Sequence, residues 1–384
     1  MTPRVQRHGQ CNHAVARRIP GQGDKAGDPS HMHARILQLK AAATPRTRRA
    51  ALRWAAALLL AGGCAVAGAQ GAGSAPAGGA VRFGILPLGG AFESRNDWEP
   101  LLADLSRAIG QPVSMLSVNS YEALDKAIVR GEVDMAFLSG KMALDAVTLH
   151  QMKVLAQVTR HDGLPGYRAL LLARKGGAPR TLDELLAEPD RFRLARGESR
   201  SVSGYIVPQL QLFLPRHIAM ETRFRGEIVG THQATALAVA NGDADVATNN
   251  TADFERFALQ FPAEAQRLAP LWQSELIPHA QIVVRRDYPP ALQQKVQDFL
   301  TGYARGAGPE GDAQRTVLKS LHDLAGFLAA DNSSLLPAAR LSYQLARQSA
   351  LEAQWVNDAA REKRLQRIES GYAQQLTALR EGSP

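Results

Sequence analysis

The chain has 384 residues, 45% of them hydrophobic and 21% charged, enough for two domains with cores of their own and unlike a disordered or fibrous protein. The formal charge of +9 suggests a polyanion partner, but residues 1–69 hold 11 of the 45 Lys and Arg and only two acids, leaving 34 of each sign in the remainder. A neutral body excludes nucleic acid as a partner on charge grounds. With the only cysteines at Cys11 and Cys64, that body also has no disulfide, thiolate metal site or thiol nucleophile.

Residues 1–69 read as a leader. Arg46, Arg48, Arg49 and Arg53 precede an apolar stretch from Trp54 to Ala61, too short for a bilayer span of about 20 residues. Ala67-Gly68-Ala69 is a small-x-small cleavage site ahead of Gln70. Residues 46–69 are therefore expected to be a secretory signal peptide for Sec export to the periplasm. A lipoprotein junction at Gly63-Cys64 and twin-arginine export at Thr47-Arg48-Arg49 stay open. Residues 70–80, rich in Gly, Ala and Ser, make a linker.

From Val81 strands and helices alternate. Val81–Leu86 is an apolar run ending at Pro87; Trp98, Leu101, Leu102, Leu105 and Ile109 have helical spacing. Val113–Val118 predicts a strand, Tyr121–Arg130 a helix, Val133–Leu138 a buried strand and Lys141–Leu149 a helix. Val154–Thr159 and Arg168–Arg174 predict strands around a turn at Gly163–Gly166. The same grammar then repeats: helix Leu182–Leu186, strand Phe192–Leu194, helix Ser203–Leu214, strand Phe224–Val229, helix Thr231–Asn241, strand Ala244–Thr248, helix Thr251–Phe261. A strand at Ile282–Arg285 leads to a helix over Pro289–Tyr303. Repeated β-α-β units imply parallel sheets covered by helices, and two such groups fit two α/β lobes. The expected division is a first lobe over 81–175 and 271–330, a second over 176–270, and a helical extension over 331–384. The extension carries helices Leu335–Arg347 and Ala353–Leu379, which either pack on their own lobe or form a homodimer.

No HExxH, GxSxG, GxxxxGK[ST] or post-strand GxGxxG occurs. No enzyme activity and no cofactor or metal is expected. Chemistry is expected instead at strand-to-helix junctions, where orphan N–H groups and the helix dipole favour an anion. In Arg196-Gly-Glu-Ser-Arg-Ser-Val-Ser-Gly-Tyr205, Ser201 or Val202 sits at the cap and Ser203 opens the helix; the serines serve either as caps or as ligand donors. In Gly230-Thr231-His232-Gln233, Thr231 is a natural N-cap and His232 falls in the first turn; both are expected among the ligand-binding residues. Tyr121 begins a helix after Ser120, and Tyr167 closes the turn Asp162-Gly-Leu-Pro-Gly-Tyr167. Arg200 is the cation nearest the serine junction, read as a solvated loop charge.

These junctions, taken in order, resemble the PhnD family of periplasmic phosphonate, phosphite and phosphate binding proteins of ABC importers. The resemblance rests on DGLPG before GYRALLLARK, on SVSGYIVP, on GTHQATALAVANGDADVATNN and on SELIP, and runs from about Val81 to about Leu379. It implies a type II periplasmic-binding fold: two α/β lobes, a hinge, a ligand in the cleft and a C-terminal helical extension. It implies ligand contacts from Ser201, Val202 and Ser203, where the family has Ser-Thr-Ser, and from His232, Tyr121 and Tyr167. The partner it implies is an importer permease of the inner membrane; a receptor that reads the same cleft as a sensor is the alternative. Members that bind 2-aminoethylphosphonate hold its ammonium with two carboxylates. At the matching places this chain has Ala252 after Asn249-Asn250-Thr251, and His279-Ala280 after Ile277-Pro278. Enclosing an unpaired ammonium costs several kcal/mol. The expected ligand is therefore phosphite, phosphate or an alkylphosphonate, with 2-aminoethylphosphonate disfavoured unless Asp253, one residue on, takes the missing acid's part.

Overall fold

The structure, a computed structural model, describes residues 79–381 apart from Gly90 and His322. The expected signal peptide, both cysteines and most of the linker lie outside the described residues. Among those described, no helix is long and apolar enough to cross a membrane.

The first half runs β1 (Val81–Ile85), α1 (Ala91–Ile109), β2 (Val113–Ser117), α2 (Tyr121–Val129), β3 (Met135–Leu138), α3 (Gly140–Leu149) and β4 (Met152–Arg160). There follow β5 (Gly166–Arg174), α4 (Leu182–Ala187), β6 (Arg193–Arg196), π-helical turns over Val202–Ile206 and Pro208–Phe213, α5 (Met220–Arg223), β7 (Gly226–Val229), α6 (His232–Asn241), β8 (Val246–Asn250), α7 (Thr251–Gln260), α8 (Pro262–Ala265) and β9 (Leu268–Pro278). The chain closes with β10 (Gln281–Arg285), α9 (Pro290–Gly302), α10 (Pro309–Ser320), β11 (Leu324–Ala329), α11 (Leu336–Glu352) and α12 (Asp358–Glu381).

The strands form two sheets, one six-stranded in the order β11-β4-β10-β3-β1-β2 and one five-stranded in the order β7-β6-β8-β5-β9. In the first, β1 lies parallel to β2 and β3, while β10 runs antiparallel between β3 and β4. In the second, β6 is parallel to β7 and β8, and β5 is antiparallel to β8 and β9. Central strands such as Met135–Leu138 are buried on both faces, as helices on either side require. Trp98 from α1 packs between Phe83 and Phe137, with ring centroids 5.5 and 4.8 Å away.

Several expectations need correcting. The turn at Gly163–Gly166 is not a hairpin: β4 pairs in the first sheet and β5 in the second. The chain thus crosses between sheets at residues 161–165 and again at 279–280, rather than at the expected 175/176 and 270/271. Strand β9 went unread because Pro270 and Pro278 interrupt it; both are tolerated because β9 is a sheet edge. Also unread were α10 and β11, the latter another edge with a register shift between Leu324 and Gly326. The helix expected over Ser203–Leu214 is π-helical, as the Ile206 N–H donating five residues back to Ser201 O (3.0 Å) shows. Pro208, without an N–H, sits at the start of its second stretch. The helical extension packs on its own chain: α12 meets α3, Tyr372 stacks on Tyr343 at 4.4 Å, and Leu379 is fully buried.

Candidate functional site

One wall is built on the second sheet. After β6 the backbones of Gly197 and Gly204 touch; a Cβ on Gly204 would stand 2.8 Å from Gly197 Cα and 2.7 Å from Ser201 Oγ. Only glycine allows that approach. It folds the chain so that Ser201 Oγ accepts from the Gly204 N–H at 3.0 Å and caps the π turn. Thr248 of β8 fixes the turn from behind, donating to Gly204 O at 2.7 Å and accepting from Gly197 N at 3.2 Å. Such π turns recur where a side chain must be aimed. Here Ser203 Oγ lies 3.0 Å from His232 Nε2 and accepts from Asn250 Nδ2 at 3.2 Å.

Thr231 caps α6 by accepting from the Ala234 N–H at 3.2 Å, which places His232 in the first turn, 4% exposed. Asn249 Nδ2 donates to His232 O at 2.8 Å. Burial holds the imidazole pKa below its ordinary value, against the opposing pull of the Asp253 carboxylate and the Thr248 backbone. His232 is therefore neutral, and its Nδ1 has no hydrogen-bond partner of good geometry. The direction of the Ser203–His232 bond follows the imidazole tautomer. Asn250 caps α7, accepting from the Asp253 N–H at 2.9 Å and donating to Asp253 Oδ2 at 2.6 Å. The Asp253 carboxylate stands 3.9 Å from His232 Nε2.

The two tyrosines come from either side. Tyr121 opens α2 behind its cap Ser120, which accepts from the Ala123 N–H at 3.0 Å. Tyr167 lies one residue into β5. The Tyr121 hydroxyl has Ser201 as its neighbour, and that of Tyr167 has Ser203. Burial pushes both phenol pKa values well above the usual range; Asp253 adds to this, and the serines oppose it. Both phenols stay protonated and available as donors.

These groups share one cavity of about 70 Å³ open to water centres, where about 10–15 Å³ already holds a water. Tyr121, Tyr167, Ser201, Val202, Ser203 and His232 all line it. Thr231 does not: its hydroxyl is committed to the cap of α6. The first-sheet wall is largely apolar, formed by Leu86, Leu88, Phe137, Val158, Ala280 and Leu324. Arg200 lines no part of it and pairs with Asp125 at 2.9 Å.

Three lining residues escaped the sequence reading. Arg160, its side chain 5% exposed, is the cation of the cavity and pairs with Glu255 at 2.6 Å; as one Arg ending an apolar strand it left no pattern. Ser139 lines the cavity at the start of α3, its hydroxyl buried without a partner. Asn250 was read only as part of a motif. Of the positions compared with ammonium-binding relatives, Ala252, His279 and Ala280 are all on the cavity, and so is Asp253, engaged by Asn250. His279 sits in the second crossover and bonds Leu164 O of the first at 3.0 Å.

Contacts between the layers hold the walls together. Glu198, before the π turn, accepts from the Tyr121 and Glu122 N–H groups at 2.8 and 3.1 Å and so fills the N-terminus of α2. Arg200–Asp125, Arg160–Glu255 and Arg256–Asp97 bridge the same gap.

A family model described as the periplasmic substrate-binding protein of phosphonate ABC transporters matches residues 83–335. The phosphonates-binding periplasmic protein of Escherichia coli is 30% identical over 263 residues, 68% of this chain and 76% of its own length. A binding protein component of an ABC phosphonate transporter from Pseudomonas aeruginosa superposes with a TM-score of 0.72 at 29% identity, covering 79% of this chain and 98% of that one. PhnD1 of Prochlorococcus marinus, solved in complex with methylphosphonate, shares the fold with a TM-score of 0.60 at 15% identity, over 69% of this chain and 98% of its own.

Proposed function

Because the chain belongs to the family of periplasmic substrate-binding proteins of phosphonate ABC transporters, we propose that its cavity takes phosphite, phosphate or a small alkylphosphonate such as methylphosphonate. As a member of that family it is a binding protein and not an enzyme, and its partners are a small ligand and a membrane permease. One observation carries the choice of ligand: Ser201, Ser203, Tyr121, Tyr167 and His232 share a cavity whose opposite wall is largely apolar. Neutral donors suit the oxygens of a tetrahedral anion, and the apolar wall suits a P–H or P–CH₃ substituent.

The energetics are adequate. A hydrogen bond to a charged group contributes about 1.5–3 kcal/mol, so these donors supply roughly 7–15 kcal/mol before the costs of ordering and closure. Micromolar affinity needs about 8 kcal/mol.

The ammonium of 2-aminoethylphosphonate is poorly served. Ala252, His279 and Ala280 bring no carboxylate, Asp253 is engaged by Asn250 beside His232, and Arg160 adds a like charge. Calorimetry on the purified chain is expected to show methylphosphonate or phosphite binding at least about 10-fold more tightly than 2-aminoethylphosphonate, a gap of roughly 1.4 kcal/mol. The reverse order would remove this ligand assignment.

A further inference from the structure

The donors named so far stand on the second-sheet wall and at the two tyrosines. The first-sheet wall contributes one polar feature that none of them uses, at the junction of β3 and α3. Ser139 is the N-cap of α3, with extended backbone angles (φ −70°, ψ 162°), yet its side chain makes no capping bond. The caps Ser120, Ser201, Thr231 and Asn250 each accept from an amide of their own helix. Ser139 is 7% exposed, and its Oγ is buried with no hydrogen-bond partner. A buried hydroxyl left unmet costs about 1–3 kcal/mol, so its persistence in a well-packed position calls for a partner absent from the protein itself.

Its position says what that partner is. Ser139 lines the same cavity as Ser201 and Ser203. The next residue, Gly140, packs where a Cβ would stand 3.1 Å from Ala338 Cβ and in van der Waals contact with the serine turn, 3.9 Å from Val202 Cγ2. The start of α3 therefore lies against the turn that carries the second-wall donors, and Val202, between two serines, brings methyl groups there in place of a hydroxyl. Helix α3 is ten residues long, and its N-cap Ser139 is on the cavity lining; its opening amides have no carbonyl behind them, and this is the positive end of its dipole.

Resting on the proposed oxyanion reading, we infer that Ser139 and the N-terminus of α3 are a second grip, donating to an oxygen of the bound anion from the first-sheet wall. The ligand class this selects has at least two oxygens on one tetrahedral centre, one for each wall, with the remaining substituent against Leu86, Leu88 and Phe137. The anion then bridges the two sheets and favours the state in which they are together.

The test uses the full chain with methylphosphonate as the probe. Ser139→Ala is expected to weaken binding by about 10-fold or more, while the Tm of the ligand-free protein holds or rises, since no protein–protein hydrogen bond is lost. Ser139→Gly, an acceptable cap in its own right, is expected to do the same. If both variants bind methylphosphonate within about twofold of wild type while Ser203→Ala weakens it, the second grip is overturned and the oxyanion reading stands. If the wild-type chain binds methylphosphonate, phosphite and phosphate no better than a buffer control, the oxyanion reading fails and the inference with it.

Discussion

Ser203→Ala is expected to weaken methylphosphonate binding by about 10- to 150-fold, the equivalent of one hydrogen bond to a charged group or slightly more. Ser203 is the centre of the donor cluster: its oxygen meets His232 Nε2 and Asn250 Nδ2, and Tyr167 of β5 is its neighbour. Its removal takes away one ligand donor and loosens the orientation of the others. The variant also leaves His232 Nε2 and one Asn250 hydrogen unmet in a buried setting, at a stability cost of about 1–3 kcal/mol. Calorimetry and a thermal melt of the same sample separate the two effects. Affinity within about threefold of wild type would take Ser203 out of the grip, whatever the melt shows.

The second large effect is expected at the hinge. Gly166 pairs with Pro278 where β5 begins and the antiparallel β9 ends, next to both crossovers. A Cβ at Gly166 would lie 2.2 Å from Ile277 O and 2.8 Å from Ile277 C. Those are backbone atoms tied into the edge strand, so neither partner can rotate away, and the strands must part. Gly166→Ala is expected to destabilise the protein by about 3 kcal/mol, the upper part of the overpacking range. Because Tyr167 follows directly and stacks near His279 of the other crossover (6.1 Å between ring centroids), ligand affinity should fall too. An unchanged urea midpoint would show that the crossovers tolerate the strain.

The alternation of strand and helix was legible because its cause is local. Apolar runs such as VDMAFL need burial on two faces, and the helices between them carry one apolar stripe each. The caps were legible for the same reason: Thr231 and Ser201 stand where short hydroxyl side chains satisfy helix amides. What was not legible depended on partners far along the chain. Strand β5 looks the same whether it pairs with β4 or with β8 and β9, so the first crossover was placed about ten residues late. The Pro residues of β9 read as breakers because nothing local says that the strand is an edge. The π turn was read as α because its cause, the contact of Gly197 with Gly204, is tertiary.

The site divides along the same line. Tyr121, Tyr167, Ser201, Ser203 and His232 each stand at a junction with its own punctuation, and the fold collects them in one cavity. Thr231 stands at such a junction as well, but a single oxygen that caps a helix is not also free for a ligand. Arg160 and Ser139 reach the cavity only through the packing of β4 and of α3, and neither sits in a pattern that composition or spacing would mark. Arg200 shows the converse: it is near in sequence, yet Asp125 across the gap between layers takes its charge. With Glu198 on the α2 amides and Arg256 on Asp97, it helps hold the walls together. Both ion pairs are half-buried and join the two walls that a ligand would bridge.

The proposed oxyanion sits between Ser201, Ser203, His232 and the two tyrosines. A crystal structure of the protein grown with methylphosphonate tests it most directly. The phosphorus atom is expected within the cavity, its oxygens at hydrogen-bonding distance from Ser203, Tyr121, Tyr167 and His232, and its methyl group toward Leu86 and Phe137. Density for the ligand elsewhere, with that cavity holding only solvent at saturating methylphosphonate, would contradict it.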